Sequence, residues 1–244
     1  MVRLIFSNLL QTIWSVNVRK TFKRPNSLLI LSINLTKIKE KMKRTTRNAE
    51  KSRQEIIEKA APIFNKYGYA GSKLDMIIKA TGFKKGGIYC HFDSKMHLAR
   101  EVFKYNFLLL KNTYLKETTQ FNAPKEQLLA FLNGFKKYII EPPIEGGCPL
   151  LNMSIEADDT DETNRLLVKQ AINEWKDELE KILEAGIQSG DFQPDINPTQ
   201  EAFFIMATIE GSIMLGQVKR SIRLMQGIAE NLQHYIKFRI FKNL

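Results

Sequence analysis

From Gly82 to Lys95 the chain reads Gly-Phe-Lys-Lys-Gly-Gly-Ile-Tyr-Cys-His-Phe-Asp-Ser-Lys. Lys84 and Lys85 stand together at the start of a short helical stretch, a position from which cations meet phosphate oxygens and base edges. Gly86 and Gly87 leave the backbone bare, so a polyanion can approach it closely. Tyr89, His91 and Lys95 add donors for phosphate. A helix opening at Ser94 would direct its first N–H groups and the positive end of its dipole to the same place. These residue types in this order suit recognition of a nucleic acid. Bond-making chemistry has no comparable signature: the sequence holds no HExxH, GxSxG, phosphate-binding loop or paired-cysteine metal motif. No enzyme activity, cofactor or metal is expected.

Such residues need elements to hold them. Ile56, Ile57, Ala60, Ala61, Phe64 and Tyr67 recur at helical spacing until Gly68 stops the run. Ser72 is placed to N-cap a short helix carrying Leu74, Ile77 and Ile78, which Thr81-Gly82 breaks. A third short helix is expected over about 84–91. Two short helices joined by a glycine turn form a helix-turn-helix, whose second helix can enter the major groove. Ile77, Ile78, Phe83 and Ile88 would make its small core. Asp93-Ser94 then opens a longer helix to about residue 118. Further helices are expected at about 124–140, 148–157, 161–189, 199–219 and 221–241, with Pro124 and Pro198 where a first-turn proline is tolerated. No alternating strand pattern, repeat or low-complexity tract interrupts them, so the fold class is all-α.

Composition sets the frame. Of 244 residues, 43% are apolar and 26% charged, which is a globular balance. The net charge of +11 is unevenly placed: +7 over residues 1–41, +8 over 42–100 and −4 over the remainder. A basic front and a mildly acidic back point to a polyanionic partner for the front alone. Cys90 and Cys148 cannot make a disulfide framework, which fits a reducing, cytoplasmic setting. The uncharged stretch 4–18 is too short and too polar to span a bilayer, and no membrane partner is expected. Asp158–Glu162 is an acidic run without the glycine a calcium loop needs, and reads as a solvated helix start. Residues 1–41 carry no sustained period. They could be a signal peptide, a basic arm, or sequence upstream of a start at Met42; the last is favoured, making 1–41 an atypical leader that is unstructured or not native.

The stretch 82–95, preceded by Phe64-Asn65-Lys66-Tyr67-Gly68-Tyr69, resembles the DNA-binding domain of the TetR/AcrR family of bacterial one-component regulators. The resemblance covers about Arg47–Phe103. Where that family runs Gly-Val-Ser-Lys-Gly-Thr-Leu-Tyr-x-His-Phe-x-Ser-Lys, this chain puts Lys84 in place of Ser, losing a helix cap, and Gly87 in place of a hydroxyl residue. Ile78 and Phe83 are bulkier than the family's Ala and Val. The resemblance implies a three-helix helix-turn-helix domain over 46–100 and a larger helical effector-binding and dimerisation domain over 101–244. The expected DNA contacts are Ser72, Lys84, Lys85, Gly86, Gly87, Tyr89, His91 and Lys95.

By the same resemblance the protein would be a homodimeric, ligand-released repressor. Its partners would be a palindromic double-stranded operator, a small-molecule effector of unknown identity and a second copy of itself. The self-association face would be Phe203, Phe204, Ala207, Gly211, Met214, Leu215, Ile222, Met225, Ile228, Ala229, Leu232 and Ile236. The effector pocket would be lined by Phe103, Phe107, Phe131, Phe135, Tyr138, Met153 and Trp175. An alternative makes Cys148, which follows Gly146-Gly147, a redox or electrophile sensor.

Overall fold

The computed structural model describes residues 26–157 and 161–242, with side chains from residue 46 onward. Its contacts divide the chain into Met1–Ser52 and Arg53–Leu244. In the first unit the description is of backbone alone up to residue 45, helical from Asn26. The reading of residues 1–41 as a leader therefore falls largely outside the described residues; its stretch 26–41 is helix, where sequence periodicity begins a helix only after residue 46.

The second unit is helical almost throughout. Helix α1 (Asn26–Gly71) enters it and is bent at Gly68, which sits at φ 65°, a region open to glycine. Then come α2 (Leu74–Thr81), α3 (Lys85–Tyr89) and α4 (Lys95–Leu115). A 3₁₀ turn at Thr118–Gln120 leads to α5 (Pro124–Ile140), α6 (Pro149–Ala157), α7 (Glu162–Gln188), α8 (Pro198–Lys219) and α9 (Ile222–Tyr235), the last continuing as a π turn over Ile236–Ile240. Caps fix several of these starts. Ser94, Asp161, Asn197 and Ser221 each accept a hydrogen bond from the backbone N–H three residues on. Of the acidic run, Asp158–Thr160 lie outside the described residues and Asp161 is the cap of α7.

Two hydrophobic cores form. The head core joins Ile56, Ile57, Ala60, Ala61 and Phe64 of α1 to Ile77, Ile88, Phe92, Leu98, Ala99 and Val102. The body core takes Phe103, Phe107, Leu110 and Tyr114 of α4 with the inward faces of α5 to α9. The division expected at residue 100 thus falls inside α4, which serves both cores in turn. Helix α8 is long and apolar enough to cross a membrane; here its Ala202, Ile205, Ile209 and Ile213 are buried in the body core.

Candidate nucleic-acid interface

The turn between α2 and α3 is built by Gly82, in the left-handed region at φ 74°, whose N–H donates to the carbonyl of Ile78 at 2.9 Å. The Thr81 hydroxyl donates back to the Ile77 carbonyl at 2.8 Å and accepts from the Phe83 N–H at 3.2 Å. These bonds lock the angle at which α3 leaves the head. Ile88, 1% exposed, anchors α3 from below. The outer surface of α3 is what remains. Lys84, Lys85 and Gly86 are exposed, Gly87 is half-buried, and Tyr89 is 38% exposed. Lys84 is the N-cap residue and makes no side-chain cap bond, as its replacement of a hydroxyl implies.

Gly86 and Gly87 are not required by the fold. A Cβ on Gly86 would meet nothing within 4 Å, and one on Gly87 would touch Phe83 at an ordinary 3.4 Å. Two adjacent glycines on an exposed helix cost about 1 kcal/mol each against alanine. Nothing within the chain accounts for them, and they leave the backbone of α3 uncovered at these two positions. His91 is half-buried beside Phe92, with ring centroids 6.4 Å apart.

Two expected contacts sit differently. Ser72 is neither the cap of α2 nor a surface group: the N-cap is Lys73, and Ser72 is fully buried. Its hydroxyl donates to the carbonyls of Gly68 and Ile63. The Gly68 carbonyl at the bend accepts from the Ser72 N–H at 3.1 Å as well, so the hydroxyl is spent as a second donor to it and, being buried, cannot reach a nucleic acid. Lys95 is also engaged. Its ammonium donates to the Tyr69 carbonyl and lies over the Tyr69 ring, 4.2 Å from the centroid; burial there draws its pKa below the usual lysine value.

The head is clamped to the body by groups that sequence spacing did not single out. The Asn65 side-chain amide donates to the carbonyls of Glu145 and Gly147 at 2.9 and 2.8 Å. Asn152 donates to the Asn65 carbonyl at 2.8 Å. The Glu156 carboxylate accepts from the Tyr69 N–H at 2.8 Å. Gly146, at φ 107°, lies so close to α1 that an added Cβ would stand 2.8 Å from the Lys66 backbone. The only trace of this clamp in the sequence is the pair Gly146-Gly147.

In the body, all seven expected pocket residues belong to one buried cluster. They do not line an open space together. Tyr114, which the expectation omitted, lies among four of them: its ring is 5.3 Å from Phe131, 6.4 Å from Phe135, 6.0 Å from Tyr138 and 5.3 Å from Trp175. Phe103 and Phe107 stack at 6.2 Å and floor a groove of about 410 Å³ between α4 and α7. Cys148 is buried, and its thiol donates to Glu210 Oε1 at 3.0 Å. Burial, then the Glu210 charge, pushes the thiol well above its usual range. That suppresses the thiolate an electrophile attacks, so the geometry gives no support to the sensor alternative.

Helices α8 and α9 divide the expected self-association face. Phe203, Phe204, Met214, Leu215 and Ile222 are exposed, and a Cβ on Gly211 would meet nothing within 4 Å. Ala229, Leu232 and Ile236 are instead buried in the chain's own core, because Gly216 lets Met225 of α9 pack directly on α8. They are removed from that face.

Comparison with known proteins matches two family models: residues 56–102 to the one described as bacterial regulatory proteins, tetR family, and residues 124–232 to the tetracyclin repressor-like C-terminal domain. A TetR transcriptional regulator from Chloroflexus aurantiacus is 33% identical in sequence with a TM-score of 0.77, over 81% of this chain and 100% of that one. A TetR-family regulator from Cytophaga hutchinsonii is 35% identical, TM-score 0.74, over 80% and 98%. The transcriptional repressor DhaR of Mycobacterium sp. (strain GP1) is 27% identical over 169 residues, 69% of this chain and 84% of that protein.

Proposed function

The chain belongs to the TetR family of bacterial transcriptional regulators, and from that membership we propose that it is a homodimeric repressor released from a palindromic operator by a small effector. It is a DNA-binding regulator and not an enzyme. The observation that carries the finer reading is the outer surface of α3: two exposed lysines and two glycines the fold does not need, held out by a packed core. Lys84 and Lys85 serve phosphates and base edges, Gly86 and Gly87 admit the DNA backbone, and Tyr89 and His91 donate to phosphate. Lys95 supports the edge of this surface through Tyr69. The head spans 46–100 and the effector body 101–244, joined by α4.

A recognition helix this short needs a second copy to gain affinity, with half-sites about one helical turn apart. The apolar face of Phe203, Phe204, Met214 and Leu215, beside the open Gly211, suits that copy. In this reading the protein works in the cytoplasm.

The test is selection of genomic fragments by the purified protein, followed by binding measurements on the recovered sequence. A two-fold symmetric site bound by a dimer is the expected result. A site without symmetry, or binding at the mass of a monomer, refutes the dimer reading. Lys85→Ala binding as tightly as wild type refutes the assigned surface.

A further inference from the structure

Among the described residues six buried side-chain polar atoms lack any hydrogen-bond partner: Asn106 Oδ1, Ser212 Oγ and four that belong together in the body, Tyr114 Oη, Tyr138 Oη, Trp175 Nε1 and Glu210 Oε2. Folded proteins rarely leave such groups unmatched, because each forfeits its water without recompense. Here the four converge. The Tyr114 ring lies 5.3 Å from Trp175 and 6.0 Å from Tyr138. Glu210 and Cys148 act on both tyrosine hydroxyls, which burial and these neighbours push up. Cys148, whose thiol is bonded to Glu210 at 3.0 Å, belongs to the same buried cluster as Tyr114, Tyr138 and Trp175, so a buried carboxyl group and two phenols share one aromatic core.

We infer that this cluster is the effector site and that it takes a small organic cation bearing an oxygen acceptor. The inference rests on the reading of the chain as a ligand-released regulator. Glu210 is the only charged side chain among the four, and its free oxygen asks for a positive partner. The faces of Tyr114, Phe131, Tyr138 and Trp175 carry negative quadrupole and favour a cation over a neutral group of the same shape. An anionic ligand would meet Glu210 with like charge. The Trp175 N–H can only donate, so the ligand must also present a hydroxyl or carbonyl oxygen. Metal binding is a weaker fit: among the described residues no group of three or more His, Cys, Asp or Glu could hold a metal ion.

The rings are closed on one another, so a ligand must displace Tyr114. Tyr114 stands on α4, whose first turns are part of the head core. Occupation of the site therefore acts on the element that holds the reading surface.

The test uses the full chain and three matched probes: 2-(4-hydroxyphenyl)ethylammonium, its uncharged isostere 4-propylphenol and its anionic isostere 3-(4-hydroxyphenyl)propanoate. Calorimetric titration should show the cation binding at least about ten-fold tighter than the neutral probe, with the anion weakest. Glu210→Gln should abolish that preference without lowering the melting temperature. Tyr114→Phe, which preserves packing, should weaken the cation less. Equal binding of cation and neutral probe, no binding of the cation, or an unchanged preference in Glu210→Gln each overturns the site. Displacement from operator DNA separates the two readings. A cation that binds through Glu210 without releasing DNA refutes ligand release and leaves the site standing. Release by the neutral or anionic probe alone refutes the site and leaves ligand release standing.

Discussion

The head and the body are both helical and both close around a core, but they are filled differently. The head core is aliphatic and small-chained around α1, with Phe64 and Phe92 its aromatic members. Every polar contact that shapes its turn is made, from Gly82 N–H to the Thr81 hydroxyl. The body core is aromatic at its centre and holds orphaned hydroxyl, indole and carboxylate groups. A satisfied core presents a fixed surface outward; an unsatisfied one has something still to gain from a guest. The head therefore does its work on the outside of α3, and the body does its work within.

The largest test of this contrast is Ile88→Ala. With no slack in the head, removing its anchor should cost about 2–5 kcal/mol. Denaturant titration should show that loss together with loss of operator binding; a cost under about 1 kcal/mol would mean that the head is as adaptable as the body.

Glu210→Gln should go the other way. Burial raises the Glu210 pKa from 4.5 to about 7. The folded chain thus holds a proton that the unfolded chain has released. The Glu210 contribution to stability falls as pH rises from about 4.5 to about 7, by about 3 kcal/mol. The variant should lack this slope, matching wild type at acid pH and exceeding it at pH 8. Parallel stability–pH curves would remove Glu210 from the contrast.

Tyr89→Phe sharpens the head's side. If the hydroxyl meets a phosphate, its loss should cost about 1.5–3 kcal/mol of operator affinity, with melting temperature unmoved. A drop in melting temperature at unchanged affinity would make the hydroxyl a structural group. Smallest is Lys95→Ala. Its ammonium is bound to Tyr69, so the salt dependence of DNA binding should barely change while stability falls by about 1 kcal/mol. Lys85→Ala should lower the salt slope by about one for each subunit. If the two variants behave alike, Lys95 is a phosphate contact after all.

Legibility in the sequence follows the same division. The helix-turn-helix is contiguous, and its glycine, its two lysines and the apolar spacing of Ile77 and Ile88 all lie within one short stretch. Periodicity and punctuation also place α5, α7 and α8, because Pro124, Gly190 and Pro198 mark real ends. What could not be read is what faces what. Spacing tells which side of a helix is apolar but not which distant helix covers it. It gave the aromatic residues of the body but not the place of Tyr114 among them or the bond of Cys148 to Glu210, nor the clamp of Asn65 on the 145–152 segment. Ser72 was misplaced for a local reason: a hydroxyl can cap or donate, and the bend at Gly68 decided for donation. The helical stretch from Asn26 does carry a stripe, Leu28, Leu31, Leu35, Ile38 and Met42, but Leu29, Ile30 and Ile33 between its members blur the period.

Within one turn of α4, Val102 belongs to the head core and Phe103 to the body core. The backbone amides there can exchange with solvent deuterium only through an opening that empties both cores at once. They should be among the slowest in the chain and should report its global unfolding, while α3, five residues long and bonded to the rest through its ends, exchanges early. The two cores then open as one unit, with α3 as its loose edge, and a head cut from the chain at residue 100 is expected to lose its fold.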